Sequence, residues 1–351
     1  MTGPSRSTGR ALVGGLLLAV LLVGAGCTTE PAASSGASGS STPSATVRPQ
    51  YVALAEAVAA QHGRVWVEAD LVKAWQAGPA KYAAVLATVV RLADRPGVAG
   101  VKIADELGYG DGTDQATVLT FLAATTKELH ARLPGQRVLV DVIVPELGCL
   151  HWPGAGAVVA GAEATASRAT CAEREVARNP AASVTALDAY VARGGLDVLN
   201  VSAGLRSGSE YAAWGTTRDA AMAAAWDEAS RRWGTKVRLQ ARKALAHPGA
   251  YAGTAATAEA DVHTFVDVPL THGAKAVDIW TWSQPYRGTS YTLTDPGLAP
   301  NALTAALLDR RRRGVELWTH MTPSSLQVGL DQDVASALTV FSDVLVASGT
   351  G

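Results

Sequence analysis

The residues whose types and spacing could do chemistry sit at the ends of short apolar segments. The stretch 98–112, VAGVKIADELGYGDG, is apolar up to Asp105-Glu106 and then opens into a glycine-rich loop. Two adjacent carboxylates at the end of a buried strand are costly to hold in a core and well placed for chemistry at its mouth. Segment 64–70, RVWVEAD, ends in the same way on Glu68 and Asp70. Later segments bring Asp141, Asn200, Arg242, Trp280 with Trp282 and Gln284, and Glu316 with Trp318 and His320. Several carboxylates, flat Trp faces and a side-chain amide at one mouth fit glycoside cleavage. That reaction needs one protonated carboxyl to help the leaving oxygen depart. It also needs a second carboxylate to attack, or to activate a water. Glu106 is the expected acid, beside the loop Gly108-Tyr109-Gly110. The second carboxylate is Asp70, Glu68 or Glu316, in that order. Trp66, Trp280, Trp282 and Trp318 offer faces for stacking on sugar rings. Arg242 or His320 would meet a charged substituent, and Asp105, Asp141, Asn200 and Gln284 complete the expected substrate-binding set.

These residues must be positioned by the elements around them, and the spacing predicts a strand–helix alternation. Strands are expected at 64–70, 98–105, 138–144, 197–202, 236–242, 276–282 and 315–319. Helices are expected at 51–62, 81–93, 115–133, 184–193, 217–233, 258–268, 301–313 and 331–346. Segment 145–181 reads as a long irregular excursion, the kind of insertion that usually serves function. Alternation of this kind requires parallel strands joined by helical crossovers. The predicted fold is a (β/α) barrel of TIM type with seven or eight parallel strands, the eighth strand not being evident. A doubly wound open sheet is the competing fold. It loses support because no GxGxxG follows the first strand and no GxxxxGK[ST] occurs.

The strand faces favour the barrel. Successive strand residues point to opposite faces. Trp66, Glu68 and Asp70 share one face against Val65, Val67 and Ala69. Lys102, Asn200, Arg238, Asp278, Trp280 and Glu316 likewise oppose aliphatic neighbours. In an open sheet covered by helices both faces are apolar. In a barrel the polar face lines the interior, so these residues converge on one axis. The last members of the strands then lie at the carboxyl-end mouth: Asp70, Glu106, Glu146, Ser202, Arg242, Trp282 with Gln284, and His320.

The chain has 351 residues, 48% hydrophobic and 17% charged, with a formal net charge of −1. That balance points to a well-filled core and away from nucleic acid. Nine Trp against three Phe is an unusual ratio for so low an aromatic content. The first residues read as a targeting segment. Arg6 and Arg10 precede an apolar run, 11–23, too short to be a comfortable membrane span. Residues 28–46 are rich in Ser, Ala, Gly and Pro with no large apolar residue, which predicts an unfolded tether. Outside the cytoplasmic membrane, Cys149 and Cys171 would most simply pair as one disulfide that staples the excursion. The run Arg310–Arg313 closes a predicted helix, where cations complement the helix dipole.

The sequence Leu22-Val23-Gly24-Ala25-Gly26-Cys27 resembles the lipobox of bacterial lipoproteins. The resemblance implies a signal peptide over 1–26, lipidation of Cys27, a tether over 27–49 and a barrel domain over 50–351. It places the chain on the extracytoplasmic side of the cell membrane. Over the barrel, the chain resembles secreted TIM-barrel glycoside hydrolases, in its polar strand ends and in the late strand IWTWSQPY, 279–286. Asp105-Glu106 resembles the strand-end Asn-Glu pair that carries the acid in the large retaining superfamily. That superfamily's second Glu lies three strands later, where this chain has 236–242 and no carboxylate. The DxxDxDxE signature of the chitinase-like family is absent.

The expected partners are a carbohydrate and, through Cys27, a membrane, with the chain a monomer and no nucleic acid involved. A carbohydrate-binding or cell-wall-fragment-binding lipoprotein without turnover is the alternative. Its mark would be mouth carboxylates all tied up by Lys102, Arg238 and Arg242. Lys102 reads as a salt-bridge partner of Glu68 or Asp141 ahead of a Schiff-base nucleophile. The seven His form no HxH or HExxH pair, and no metal or cofactor is expected.

Overall fold

Strand–helix alternation closes on itself. The computed structural model describes residues 47–110, 112–159, 162–242 and 245–349, with the side chains of 162, 163, 235 and 237–242 outside that description. The chain divides into Met1–Thr42, which lies outside the described residues, and Pro43–Gly351, which holds the fold. The signal, Cys27 and most of the tether therefore also lie outside the described residues. The barrel strands are β1 (Arg64–Glu68), β2 (Val98–Ala104), β3 (Arg137–Ile143), β4 (Val198–Ser202), β5 (Val237–Arg242), β6 (Val277–Tyr286), β7 (Leu317–Met321) and β8 (Asp343–Ala347). Each is parallel to both neighbours, and β8 pairs back onto β1 with Val65 opposite Val344. Closure leaves no free edge, and the result is a (β/α) barrel of eight parallel strands among the described residues.

The eighth strand corrects the expectation of a closing helix over 331–346. That helix is Leu330–Val340, and Phe341 already has extended backbone. The chain then turns into DVLVA, which continues an apolar run without a Gly or Pro to mark the break. The seventh strand also starts two residues later than its pattern implied, at Leu317. The excursion is largely helical rather than irregular, with helices Pro145–Gly148 and Ala162–Arg178 and single turns at Ala155–Val158 and Pro180–Ala182. The expected disulfide joins Cys149 to Cys171.

Side-chain caps set several helix starts. Asp114 accepts from the Thr117 amide, Ser183 from Ala186 and Thr217 from Ala220, each satisfying an amide the first turn leaves over. The apolar strand faces pack outward against the helices, with Val65, Val67, Val101, Ile103, Val140, Val142 and Ile279 all buried there. Inside the barrel, the amino-end layer is apolar and built from Trp66, Leu139, Val198, Ala276, Trp318 and Leu345. Trp66 and Trp318 stack at 4.8 Å between ring centroids. Beyond its barrel part β6 continues as a hairpin, with Ser283–Tyr286 antiparallel to Thr289–Thr292. No helix among the described residues is long and apolar enough to cross a membrane.

Candidate active site

One layer above the two Trp rings, the barrel interior turns from apolar to charged. Residues two positions further along each strand face the same axis about 6.6 Å nearer the carboxyl end. They are Glu68, Lys102, Asp141, Asn200, Asp278 and His320. Lys102 is fully buried, and its ammonium lies 2.6 Å from Glu68 Oε1 and 3.1 Å from Asp105 Oδ1, and also contacts Asp141. His320 is fully buried as well. Its Nδ1 is 3.0 Å from Glu68 Oε2, and its Nε2 is 3.1 Å from Asp278 Oδ1. Asn200 Nδ2 donates to Asp278 Oδ2 at 2.7 Å.

The arrangement fixes charges. An imidazole with a carboxylate on each nitrogen satisfies both contacts only as the imidazolium, which has two donors. Burial pushes the His320 pKa down, but the charges of Asp278 and Glu68 outweigh it and push it up to about 10. Burial likewise works to raise the Glu68 pKa. Lys102 and His320 outweigh that and hold it well below the usual carboxylate range. Glu68 is therefore a carboxylate at neutral pH, held on both oxygens.

Above this layer the mouth opens. A cleft of about 170 Å³ is lined by Glu68, Asp105, Glu106, Trp280, Gln284 and Tyr286. It sets carboxylates on one wall against two aromatic rings on the other. Trp280 Nε1 donates to Gln284 Oε1, and its ring meets Tyr286 edge-on with centroids 5.8 Å apart. Across Asp105 and Glu106 a second cleft, of about 410 Å³, runs over Asp70, Lys73, Gln76, Tyr109 and Gly110. Glu106 has left-handed backbone, φ 49°, the kind of strained position that collects at functional sites. The carboxylates of Glu68, Asp105 and Asp141 have oxygens within 4.8 Å of one another, the spacing of a cation site. The cation they meet is the Lys102 ammonium.

The structure thus brings together Glu106, Glu68, Asp105, Asp141, Asn200, Trp280, Gln284 and His320 of the expected set, with Asp70 at the rim. Asp70 pairs there with Lys73 at 2.8 Å. Asp141, Asn200 and His320, all fully buried, lie beneath the mouth as part of the charged layer, so they hold Lys102, Asp278 and Glu68 rather than facing a substrate.

Others lie elsewhere. Glu316 precedes β7 at the amino end of the barrel, 2.8 Å from Arg64, and accepts from Trp318 Nε1. It borders a separate cleft of about 540 Å³ with Arg64, His62 and Phe341. Trp66 and Trp318 are sealed in the amino-end layer, where Trp66 Nε1 donates to the buried Asp343. Trp282 is buried against Phe341 behind the strands. Glu146 accepts from the Val184 amide and serves the scaffold of the excursion. For Glu316, Trp66 and Trp318 the cause is depth along the strand, which decides which end of the barrel a residue reaches, whereas Trp282 sits on the outward face and Glu146 on a helix of the excursion. The side chain of Arg242 lies outside the described residues, as do those of Arg238 and Gln240. Asp278 joins the site beyond the expected set, and its signal in the sequence is a lone acid in the apolar run AVDIW, at an inward position.

No protein-family model matches the chain, and no curated protein matches it. Among solved structures, it is similar to an oxaloacetate acetylhydrolase, with 14% identity over 87% of this chain and 81% of that one, at a TM-score of 0.39. It is similar to a homocysteine methyltransferase from Escherichia coli, with 12% identity over 84% and 94%, at 0.39. It is also similar to a β-glycosidase from Thermosphaera aggregans, with 11% identity over 81% and 87%, at 0.33. Likenesses this weak carry no argument about activity, and the fold rests on the closed strand order.

Proposed function

We propose that this barrel binds a carbohydrate at its carboxyl-end mouth and cleaves a glycosidic bond there. The observation that carries the reading is the cleft in which Glu68, Asp105 and Glu106 face Trp280 and Tyr286. Aromatic faces take the apolar side of a sugar ring, and carboxylates opposite them meet its hydroxyls and its glycosidic oxygen. Glu106, at the rim, is the acid. Glu68, kept ionised by Lys102 and His320, is the second carboxylate. The second cleft continues past Glu106, so a chain of sugars can lie on both sides of it.

The alternative reading, binding without turnover, is favoured by one observation: Lys102 engages Glu68, Asp105 and Asp141 together. A carboxylate so held is a weaker nucleophile. The two readings separate in one assay, in which glycans are incubated with the protein while Trp fluorescence and released reducing ends are followed. Quenching with release of reducing ends supports hydrolysis. Quenching alone supports binding, and neither signal sinks both.

We also propose that the chain works tethered outside the cytoplasmic membrane through a lipid on Cys27. The support is the lipobox-like run ending at Cys27 and a disulfide between Cys149 and Cys171, which suits an oxidising compartment. Partition of the full chain into detergent, abolished by Cys27→Ser, is the expected result; partition unchanged by the variant would defeat it.

A further inference from the structure

The loop that carries Glu106 is not held by the barrel alone. Leu107 donates its amide to the Asp141 carbonyl, and Tyr109 donates back to the Glu106 carbonyl. Two further contacts come from the excursion. Gly110 N donates to Asn179 Oδ1 at 3.0 Å. Gly108, at φ 72°, lies so close to Ala181 that a Cβ there would sit 2.5 Å from the Ala181 carbonyl oxygen. Asn179 is buried and directly follows helix Ala162–Arg178, its amide donating to the Glu175 carbonyl at 2.9 Å.

That helix is fastened to the body by a disulfide and by polar contacts along its length, with Trp214 Nε1 donating to Ser167 Oγ at 3.0 Å and Arg168 donating to the Ala155 carbonyl. Cys171, two turns before Asn179, is bonded to Cys149. Arg206 reaches Glu175 at 3.1 Å and approaches Cys149 Sγ at 3.5 Å. Tyr211 donates to the Gly148 carbonyl at 2.8 Å and accepts from the Arg206 amide. A continuous path therefore runs from the disulfide, along one helix, through Asn179 to the loop after Glu106.

We propose that Asn179 is a positioning residue for Glu106, and that the Cys149–Cys171 disulfide sets the place of Asn179. This rests on the reading of Glu106 as the acid, but the path itself does not, and the two can be tested apart. The segment read as an insertion is then the back wall of the acid loop. Its Asn side chain fixes the loop through an oxygen acceptor, which Asp supplies and Ala does not.

The test is amide hydrogen exchange on the full chain, comparing wild type, Asn179→Ala, Asn179→Asp and the double variant Cys149→Ser with Cys171→Ser. The expected result is loss of protection over 106–110 in Asn179→Ala and in the double variant. Protection is retained in Asn179→Asp, and the amides of β2 and β3 are unchanged throughout. Protection kept in Asn179→Ala overturns the positioning role, and protection kept in the double variant overturns the disulfide's part. Loss that spreads through β2 and β3 reports unfolding and overturns both. On a glycan that the wild type hydrolyses, Asn179→Ala lowers kcat about tenfold with KM little changed, and Asn179→Asp restores it. A change confined to KM contradicts the proposal. If the wild type hydrolyses no glycan, the proposed reaction fails while the exchange result still decides the path.

Discussion

Lys102 and Glu68 form an ion pair inside the barrel, 2.6 Å from Nζ to Oε1, with the lysine wholly removed from solvent. Taking an ammonium out of water is costly, and it is tolerated here because three carboxylates surround it. Removing the lysine leaves the buried Asp141 and the half-buried Glu68 without it. Lys102→Met is therefore expected to destabilise the fold by about 3–5 kcal/mol, measured by urea unfolding. A loss below about 1 kcal/mol would mean that the pair carries no such weight.

His320 predicts a pH dependence. Its folded pKa is raised to about 10 from the ordinary 6.5, so its contribution is complete below about 6.5 and is lost as pH rises toward about 10. Glu68 is held below its ordinary 4.5, so its contribution is complete above about 4.5 and is lost as pH falls further. The two overlap in a mildly acidic window. The Tm of wild type is expected to be highest there and to decline toward alkaline pH. The Tm difference between wild type and His320→Gln should be largest below about pH 6.5 and shrink toward pH 10. A difference that stays constant across that range would contradict the imidazolium assignment.

Gly100 lies in β2 against the stacked Trp rings. A Cβ there would sit 2.3 Å from the Arg137 carbonyl oxygen and 2.5 Å from the Trp66 ring. The first of these is backbone and cannot rotate away. Gly100→Ala is expected to cost about 1–3 kcal/mol in calorimetry or denaturant unfolding, with the mouth clefts retained. A neutral result would show that the amino-end layer yields.

Much of this was legible in the sequence, and the reason is the period of the strands. Most of the predicted strands alternate an aliphatic face with a polar or aromatic one in the sequence, and only a closed barrel gives both faces a use. The eighth strand was hidden because Asp343–Ala347 follows its helix without a glycine or proline and continues the helix's apolar content. In the site, Lys102 read as the partner of Glu68 or Asp141, and it contacts both. Depth was not legible. Trp66 and Glu68 share a face two residues apart, yet one seals the amino end and the other borders the mouth. Trp280 and Trp282 share a pattern too, yet one reaches the cleft and the other packs on Phe341.

Tyr286 stands on the β6 hairpin over the mouth, half-buried beside Trp280. If sugar rings stack there, Tyr286→Ala should weaken glycan binding by about 0.5–1.5 kcal/mol, or about two- to tenfold in Kd. Titration followed by Trp fluorescence reads this directly. An unchanged Kd would move the stacking surface away from the hairpin.

Glu106 is proposed as the acid of a glycoside-cleaving mouth. Its most direct test is turnover of a glycan panel by the wild-type chain and by Glu106→Gln, with binding measured on both. The expected result is hydrolysis by the wild type, a loss of about 10²–10⁴-fold in kcat for the variant, and retained glycan binding. Turnover that survives in Glu106→Gln, or a wild type that releases no sugar from any glycan it binds, would contradict it.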